Sequence, residues 1–219
     1  LERYPHLRSK IARLIIMGCA VHVGGNIIVP GFTADMENPA DNLENPGAEW
    51  NIYADALAAH KVLHSGLPML WVPLDGTNTV PLTYAYRARV VALAQTPTAR
   101  FYADLMSTDT MSFLIGTGEL YFWDSLAALM LIDPWACRVE ELPIEVDVTR
   151  SQIVGGQPGE FPDITTDDGK RQPFHEPSVG ITKLRTNAVM VDVCSHADKN
   201  RFYRAYEQIL NDRWQGPSR

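Results

Sequence analysis

Leu14-Ile15-Ile16-Met17-Gly18 decides the fold: four large apolar residues in succession, closed by a glycine. An apolar run without alternation is how a strand covered on both faces reads, and such strands belong to parallel sheets flanked by helices. Met69–Leu74 repeats the pattern. Between the two, Asp55 offers an N-cap to the amphipathic run Ala56–His64, and Gly66 ends it. Strand, helix and strand in that order predict an α/β sheet. Further along, helical patterns cover roughly 80–94 and 97–115, and Ser125–Ile132 forms an apolar helix stopped by Asp133-Pro134. Leu142, Ile144, Val146 and Val148 alternate with other residues, the period of a strand in an antiparallel hairpin. Ala188–Val193 reads as a strand, and Ala197–Trp214 as a closing helix with Phe202, Tyr206, Ile209 and Leu210 on one face. The pattern extends over residues 1–219 as a single domain.

Two stretches break the regularity. Residues 19–48 hold four Asn, three Pro and four Gly with neither helical nor strand period, so they form one long loop. Loops of that length inside a compact domain are functional or disordered. Its middle, Thr33–Glu44, reads as a tolerated surface insertion, whereas its two ends do not. The stretch 155–187, rich in Gly, Pro and Asp, reads as a second loop.

The formal net charge is −7, and no basic run exceeds two residues. That excludes a phosphate-backbone partner, so no nucleic acid is expected. The longest apolar runs are too short to cross a bilayer, and no signal peptide opens the chain. The three cysteines, Cys19, Cys137 and Cys194, are scattered and odd in number. They read as reduced packing residues of a cytoplasmic protein rather than as a disulfide framework or a zinc site. Leu1 stands where an initiating Met is expected, inside what reads as a helix-to-strand connection, so the chain is expected to begin downstream of its gene's start.

In open α/β sheets ligands sit beyond the carboxyl ends of the strands. That rule singles out Gly24-Gly25-Asn26 after the first strand, where glycine lets the backbone approach a ligand, and Glu49 and Asn51 at the far end of the same loop. In an extended segment residues two apart share a side. A carboxylate and an amide on one side, with Trp50 on the other, suit the hydroxyls of a sugar. The plainer alternative is that Glu49 and Asn51 cap the following helix. Asp124 carries the same pair of readings: N-cap of the helix at Ser125, or carboxylate ligand of a hard cation such as Ca²⁺, which requires further oxygens. Asp167-Asp168 reads as solvated. His60 and His64 share a helix face but lack a third ligand, and His22 lies within the loop.

The collinear set Ile16-Met17-Gly18, Gly25-Asn26, Ala48-Glu49-Trp50-Asn51-Ile52-Tyr53-Ala54-Asp55, Val72-Pro73-Leu74-Asp75 and Trp123-Asp124-Ser125-Leu126-Ala127-Ala128 resembles the inosine–uridine-preferring nucleoside hydrolase family. The tail, from the 139–148 region through Val191-Asp192-Val193 to the Phe202 helix, fits the same pattern. The resemblance implies an open, mostly parallel, Rossmann-like sheet flanked by helices, truncated at its N-terminus. It also implies Ca²⁺ at the sheet's carboxyl edge and hydrolysis of the N-glycosidic bond of ribonucleosides to free base and ribose. By resemblance, Asn26, Glu49 and Asn51 hold the ribose hydroxyls, with Asn45 the alternative to Asn26. Asp124 binds both metal and sugar. Trp123 stands where many members carry a His that protonates a leaving purine, which leaves base preference open. A cytoplasmic homo-oligomer, dimer or tetramer, is the expected assembly.

Two other departures qualify that picture. The family's Asp-x-Asp-x-x-x-Asp-Asp cluster, which supplies the general base and most metal ligands, does not occur in this chain. No catalytic base is therefore expected among these residues, and roughly the first third or more of the domain is expected upstream. The loop between Asn26 and Glu49 is also longer than usual for the family. The alternatives to an enzyme are a non-catalytic binding or interaction subunit and an unrelated sugar-binding α/β domain.

Overall fold

The computed structural model describes residues 3–27, 45–148, 164–165, 171–172 and 179–217. The loop middle at Thr33–Glu44 and the pair Asp167-Asp168 lie outside them. By its internal contacts the chain divides into two compact units: Leu1–Leu74 with Glu140–Val193, and Asp75–Val139 with Cys194–Arg219.

In the first unit, β1 (Leu14–Met17) pairs in parallel with β2 (Met69–Val72), from Leu14 opposite Met69 to Met17 opposite Val72. Among its described residues, the connection between them carries two short helices, α1 (Trp50–Ala54) and α2 (Ala56–Leu63). The remaining strands are β3 (Cys137–Val146), the isolated pair β4 (Ile164–Thr165) and β5 (Arg171–Gln172), β6 (Thr182–Leu184) and β7 (Val189–Ala197). The main sheet runs β1-β2-β7-β3-β6. β2 pairs in parallel with β7, and β3 pairs antiparallel with β6. The alternation expected over Leu142–Val148 is a strand that ends at Val146, and its antiparallel partner β6 falls within 155–187, so that stretch is not loop throughout as expected.

Burial follows the pattern that defined the strands. Every residue of the central β2 is buried, while β1, at the sheet edge, is half-exposed throughout. Ile52, Ala56 and Leu63 of the helices pack with Met69, Trp71, Ile144, Val146, Val191 and Val193 of the sheet. Each such side chain contributes about 1.5–3 kcal/mol by leaving water. Trp71 is fully buried, and its indole N–H donates to the Met69 thioether at 3.0 Å. The Asp55 carboxylate accepts from the Ala58 N–H at 2.8 Å, so this residue caps α2 as its position suggests.

The second unit holds α3 (Leu74–Thr77, whose Leu74 belongs to the first), α4 (Tyr84–Leu93), α5 (Pro97–Met106), α6 (Asp109–Gly116), α7 (Trp123–Leu129) and α8 (Lys199–Leu210). The run at 97–115 is two helices, because the Thr108 hydroxyl accepts from the Met111 N–H and starts a new one. Tyr86, Phe122, Phe202, Tyr203 and Tyr206 form its aromatic centre, with Tyr86 stacked on Tyr203 at 3.9 Å. Burial pushes the Tyr86 hydroxyl's pKa upward, so it stays protonated.

One expectation is corrected here. Cys137 and Cys194 are joined in a disulfide with their Cα atoms 5.6 Å apart, and the buried Cys19 takes no part in it. The start of β3 at Cys137 lies beside the part of β7 that carries Cys194, a proximity that a sequence separation of 57 does not advertise. Gly76 rests directly on this bridge: a Cβ there would lie 2.4 Å from the Cys194 sulfur. Among the described residues, no helix is long and apolar enough to cross a membrane.

Candidate functional site

The residues singled out around the long loop converge at the carboxyl end of β1. The loop's two arms are laced together: the Gly25 N–H donates to Pro46 O at 2.7 Å and the Asn26 N–H to Ala48 O at 3.2 Å. Gly25 must be glycine here, because a Cβ would sit 1.9 Å from the Ala48 carbonyl oxygen. The close approach thus runs between loop arms. The Asn26 Oδ1 accepts from the Trp50 N–H at 2.8 Å, which fixes the start of α1.

Glu49 is almost wholly buried, at 1 % exposure, and its carboxylate accepts three backbone N–H groups. Oε1 accepts from Asn51 at 3.0 Å, while Oε2 accepts from Ile52 at 3.1 Å and Cys19 at 3.2 Å. The first two bonds make it the N-cap of α1, which is the plainer of the two sequence readings. The third ties the helix to the chain leaving β1. Asn51 therefore stands in the first turn of a helix, and the extended geometry expected for Glu49-Trp50-Asn51 is not observed. The capping carboxylate turns the chain one residue after Glu49. Asn51 is exposed and its Nδ2 donates to the Met17 thioether at 3.3 Å; Trp50 is half-exposed.

Sequence reasoning missed Cys19. It is fully buried and takes φ 71°, a left-handed backbone unusual for a residue with a side chain. Its N–H is held by Glu49, and its carbonyl accepts from the Leu74 N–H at 2.9 Å. Strain of this kind gathers at functional sites and persists only where the surroundings over-determine it. No residue type in the sequence signals it. Asn45, the alternative to Asn26, is closed off: Nδ2 donates to Val179 O at 2.7 Å and Oδ1 accepts from the Ala48 N–H. The Asn26 Nδ2, by contrast, has no partner among the described residues.

In the second unit, α7 begins at Trp123, with Phe122 as its N-cap. Asp124 thus lies inside the first turn, exposed and without a capping bond, so the N-cap reading of Asp124 is overturned. An apolar residue entering the helix ahead of the acid shifted the start. Trp123 is half-buried, and its buried indole Nε1 donor has no acceptor among the described residues. Such orphaned donors are rare and call for a reason.

Among the described residues, no group of three His, Cys, Asp or Glu side chains is placed to hold a metal ion. The described donors therefore do not fit a Ca²⁺ site, since one exposed carboxylate supplies a small part of the six to eight oxygens that ion takes.

A helix-flanked open sheet with candidate ligand groups at a strand's carboxyl end is an α/β architecture of the nucleoside hydrolase type. A structure of an inosine–uridine preferring nucleoside hydrolase from Bacillus anthracis superposes with a TM-score of 0.68 at 20% identity, over 98% of this chain and 55% of that one, which establishes the fold. The chain belongs to the inosine-uridine preferring nucleoside hydrolase family, whose profile matches residues 1–204. It is similar to the putative pyrimidine-specific ribonucleoside hydrolase of Shigella boydii, 29% identical over 71% of this chain and 57% of that protein. It is also similar to nucleoside hydrolase 3 of Arabidopsis thaliana, 37% identical over 94 residues that make 37% of this chain and 11% of that protein. The chain spans little more than half the length of the Shigella and Bacillus proteins.

Proposed function

We propose that the protein carrying this chain hydrolyses the N-glycosidic bond of ribonucleosides to free base and ribose, and that these residues provide its ribose clamp. The observation that carries the reading is the gathering of Asn26, Glu49 and Asn51 at the carboxyl end of β1, where open α/β sheets bind ligands. Asn26 and Asn51 offer amide groups to the sugar hydroxyls, with the Glu49 carboxylate as the anionic floor that orients them. Contacts that tighten as positive charge builds on the ribose ring lower the barrier rather than merely retaining substrate. The attacking water is deprotonated by a carboxylate that lies outside these residues. Ca²⁺, the cofactor of this reading, would supply electrostatic activation if bound, with Asp124 as one of its ligands and as a sugar contact. The described residues do not by themselves assemble its site. Trp123 is assigned as a base contact, since its indole donor has no acceptor among the described residues.

The test is release of free base from inosine, uridine and cytidine by the intact protein with added Ca²⁺. Asn51→Ala and Asp124→Ala, both at exposed positions, are expected to lower kcat/KM by about a hundredfold with the melting temperature unchanged. Unchanged release by both variants overturns the site. The alternative, a non-catalytic binding subunit, is favoured by the absence of a metal-ligand group among the described residues. Intact protein that binds nucleoside but releases no base at any Ca²⁺ concentration would establish it. Assembly as a homodimer or homotetramer accompanies the enzyme reading, and sedimentation of the intact protein checks it.

A further inference from the structure

α8 ends in a turn that builds a basic cavity in the second unit. Asn211 caps the helix, its Nδ2 donating to Glu207 O at 2.9 Å and its Oδ1 accepting from the Gln95 N–H at 2.9 Å. Asp212 then takes φ 56°, a left-handed conformation that reverses the chain. The Arg213 N–H donates back to Gln208 O at 2.7 Å. Arg213 and Trp214 on the returning segment, with Arg201, Arg204 and Gln208 of α8 and Asp133, line a cavity of about 370 Å³.

The charge of that wall is unbalanced. Arg201 is neutralised by a two-pronged pair with Asp133, at 2.7 and 2.8 Å, and this carboxylate is buried. Arg204 has no acidic partner among the described residues, and the Arg213 guanidinium donates only to the neutral amide of Gln95. Two uncompensated guanidinium groups thus line one cavity in a chain of net charge −7. Both are exposed and hydrated, and an anion that bridges them in the cavity gains attraction from each. Guanidinium forks match phosphate oxygens, and a partly buried indole offers an aromatic face to a planar ring. The volume lies near the small end of ligand pockets, which suits one ring and one phosphate rather than a dinucleotide.

We propose that this cavity is a second binding site, for a phosphomonoester carrying a planar ring. Arg204 and Arg213 hold the phosphate, Gln208 supplies a polar contact and Trp214 covers the ring. None of Asn26, Glu49, Asn51, Trp123 or Asp124 lines it, so the inference stands independently of the nucleoside reading.

Isothermal titration of the intact protein with phenyl phosphate, uridine 5′-monophosphate and inorganic phosphate tests it. Phenyl phosphate has no ribose, so its binding is blind to the proposed clamp and is expected to be unchanged in Asn51→Ala. Expected is binding of phenyl phosphate about tenfold tighter than of inorganic phosphate. Arg204→Ala and Arg213→Ala should each weaken it about tenfold or more, the size of a lost charge-assisted contact. Trp214→Ala should bring phenyl phosphate down to the level of inorganic phosphate and leave the latter unaltered. Tighter binding of the uridine nucleotide than of phenyl phosphate, lost in Arg204→Ala, assigns the site to nucleotides; equal binding supports aromatic phosphomonoesters in general. Absence of phenyl phosphate binding at millimolar concentration overturns the proposal. So does undiminished binding by the Arg204→Ala/Arg213→Ala double variant while its melting temperature matches wild type.

Discussion

Glu49 is where one side chain does the most. Its two oxygens receive the N–H groups of Cys19, Asn51 and Ile52, so a single carboxylate starts α1 and fastens it to the chain leaving β1. Half of this arrangement was legible: an acidic residue ahead of a helical run reads as a cap. The bond to Cys19 was not, because it depends on a left-handed backbone that no Cys signals. Glu49→Ala leaves three N–H groups without their acceptor, two of them on buried residues, and is expected to cost about 2–4 kcal/mol in urea unfolding. Glu49→Gln keeps one acceptor oxygen but turns an NH₂ toward other donors, at a cost of about 1 kcal/mol. Equal stability of wild type and Glu49→Ala would show that the carboxylate does not organise this end of the sheet.

At the scale of elements, β2 and β3 were legible because their apolar patterns are set by burial, as at Leu70, Trp71, Ile144 and Val146, whereas β1 carries the same apolar run but is half-exposed at the sheet edge. Helix starts were less so. α7 begins ahead of Asp124, and α8 begins at Lys199, where the Asp198 carboxylate accepts from the Arg201 N–H and fixes the start. Sequence supplies several candidate caps, and tertiary packing chooses among them. α2 carries a further consequence. His60 and His64, one turn apart, lie ring beside ring with centroids 4.1 Å apart and planes tilted by 34°. Burial, followed by the neighbouring His64, holds the His60 pKa below the ordinary histidine value of 6.5. The unfolded chain then binds more protons than the folded one as pH falls through about 6.5, so stability must drop there. Above that range both states hold a neutral imidazole, and His60 contributes no slope. Urea midpoints are expected to be flat between about pH 7 and 8 as far as this group is concerned, and to fall below about pH 6.5. His60→Gln should reduce that fall, and an identical pH profile for the variant would refute the assignment.

At the scale of the whole molecule, family and sheet were legible from a collinear set of short segments, none decisive alone. The disulfide was not, because two of three scattered cysteines carry no motif. Its presence also removes the reduced-cysteine argument for a cytoplasmic setting. The bridge closes a long segment between Cys137 and Cys194, and in the chain-entropy account it stabilises by about 2–4 kcal/mol. Dithiothreitol is expected to lower the melting temperature of wild type and to leave Cys137→Ser/Cys194→Ser unaffected, with a mass increase of about two hydrogens on reduction marking the bond. The laced neck of the long loop, Gly25 on Pro46 and Asn26 on Ala48, has an engineering consequence. A loop clamped at its base transmits little of its own length to the structure below. Ten extra Gly/Ser residues inserted between Thr33 and Glu44 should cost roughly 0.3 kcal/mol by loop-closure entropy and leave the proposed nucleoside hydrolysis unchanged. By the same reasoning, a lineage can lengthen or trim the segment between Asn26 and Glu49 freely so long as Gly25 stays glycine.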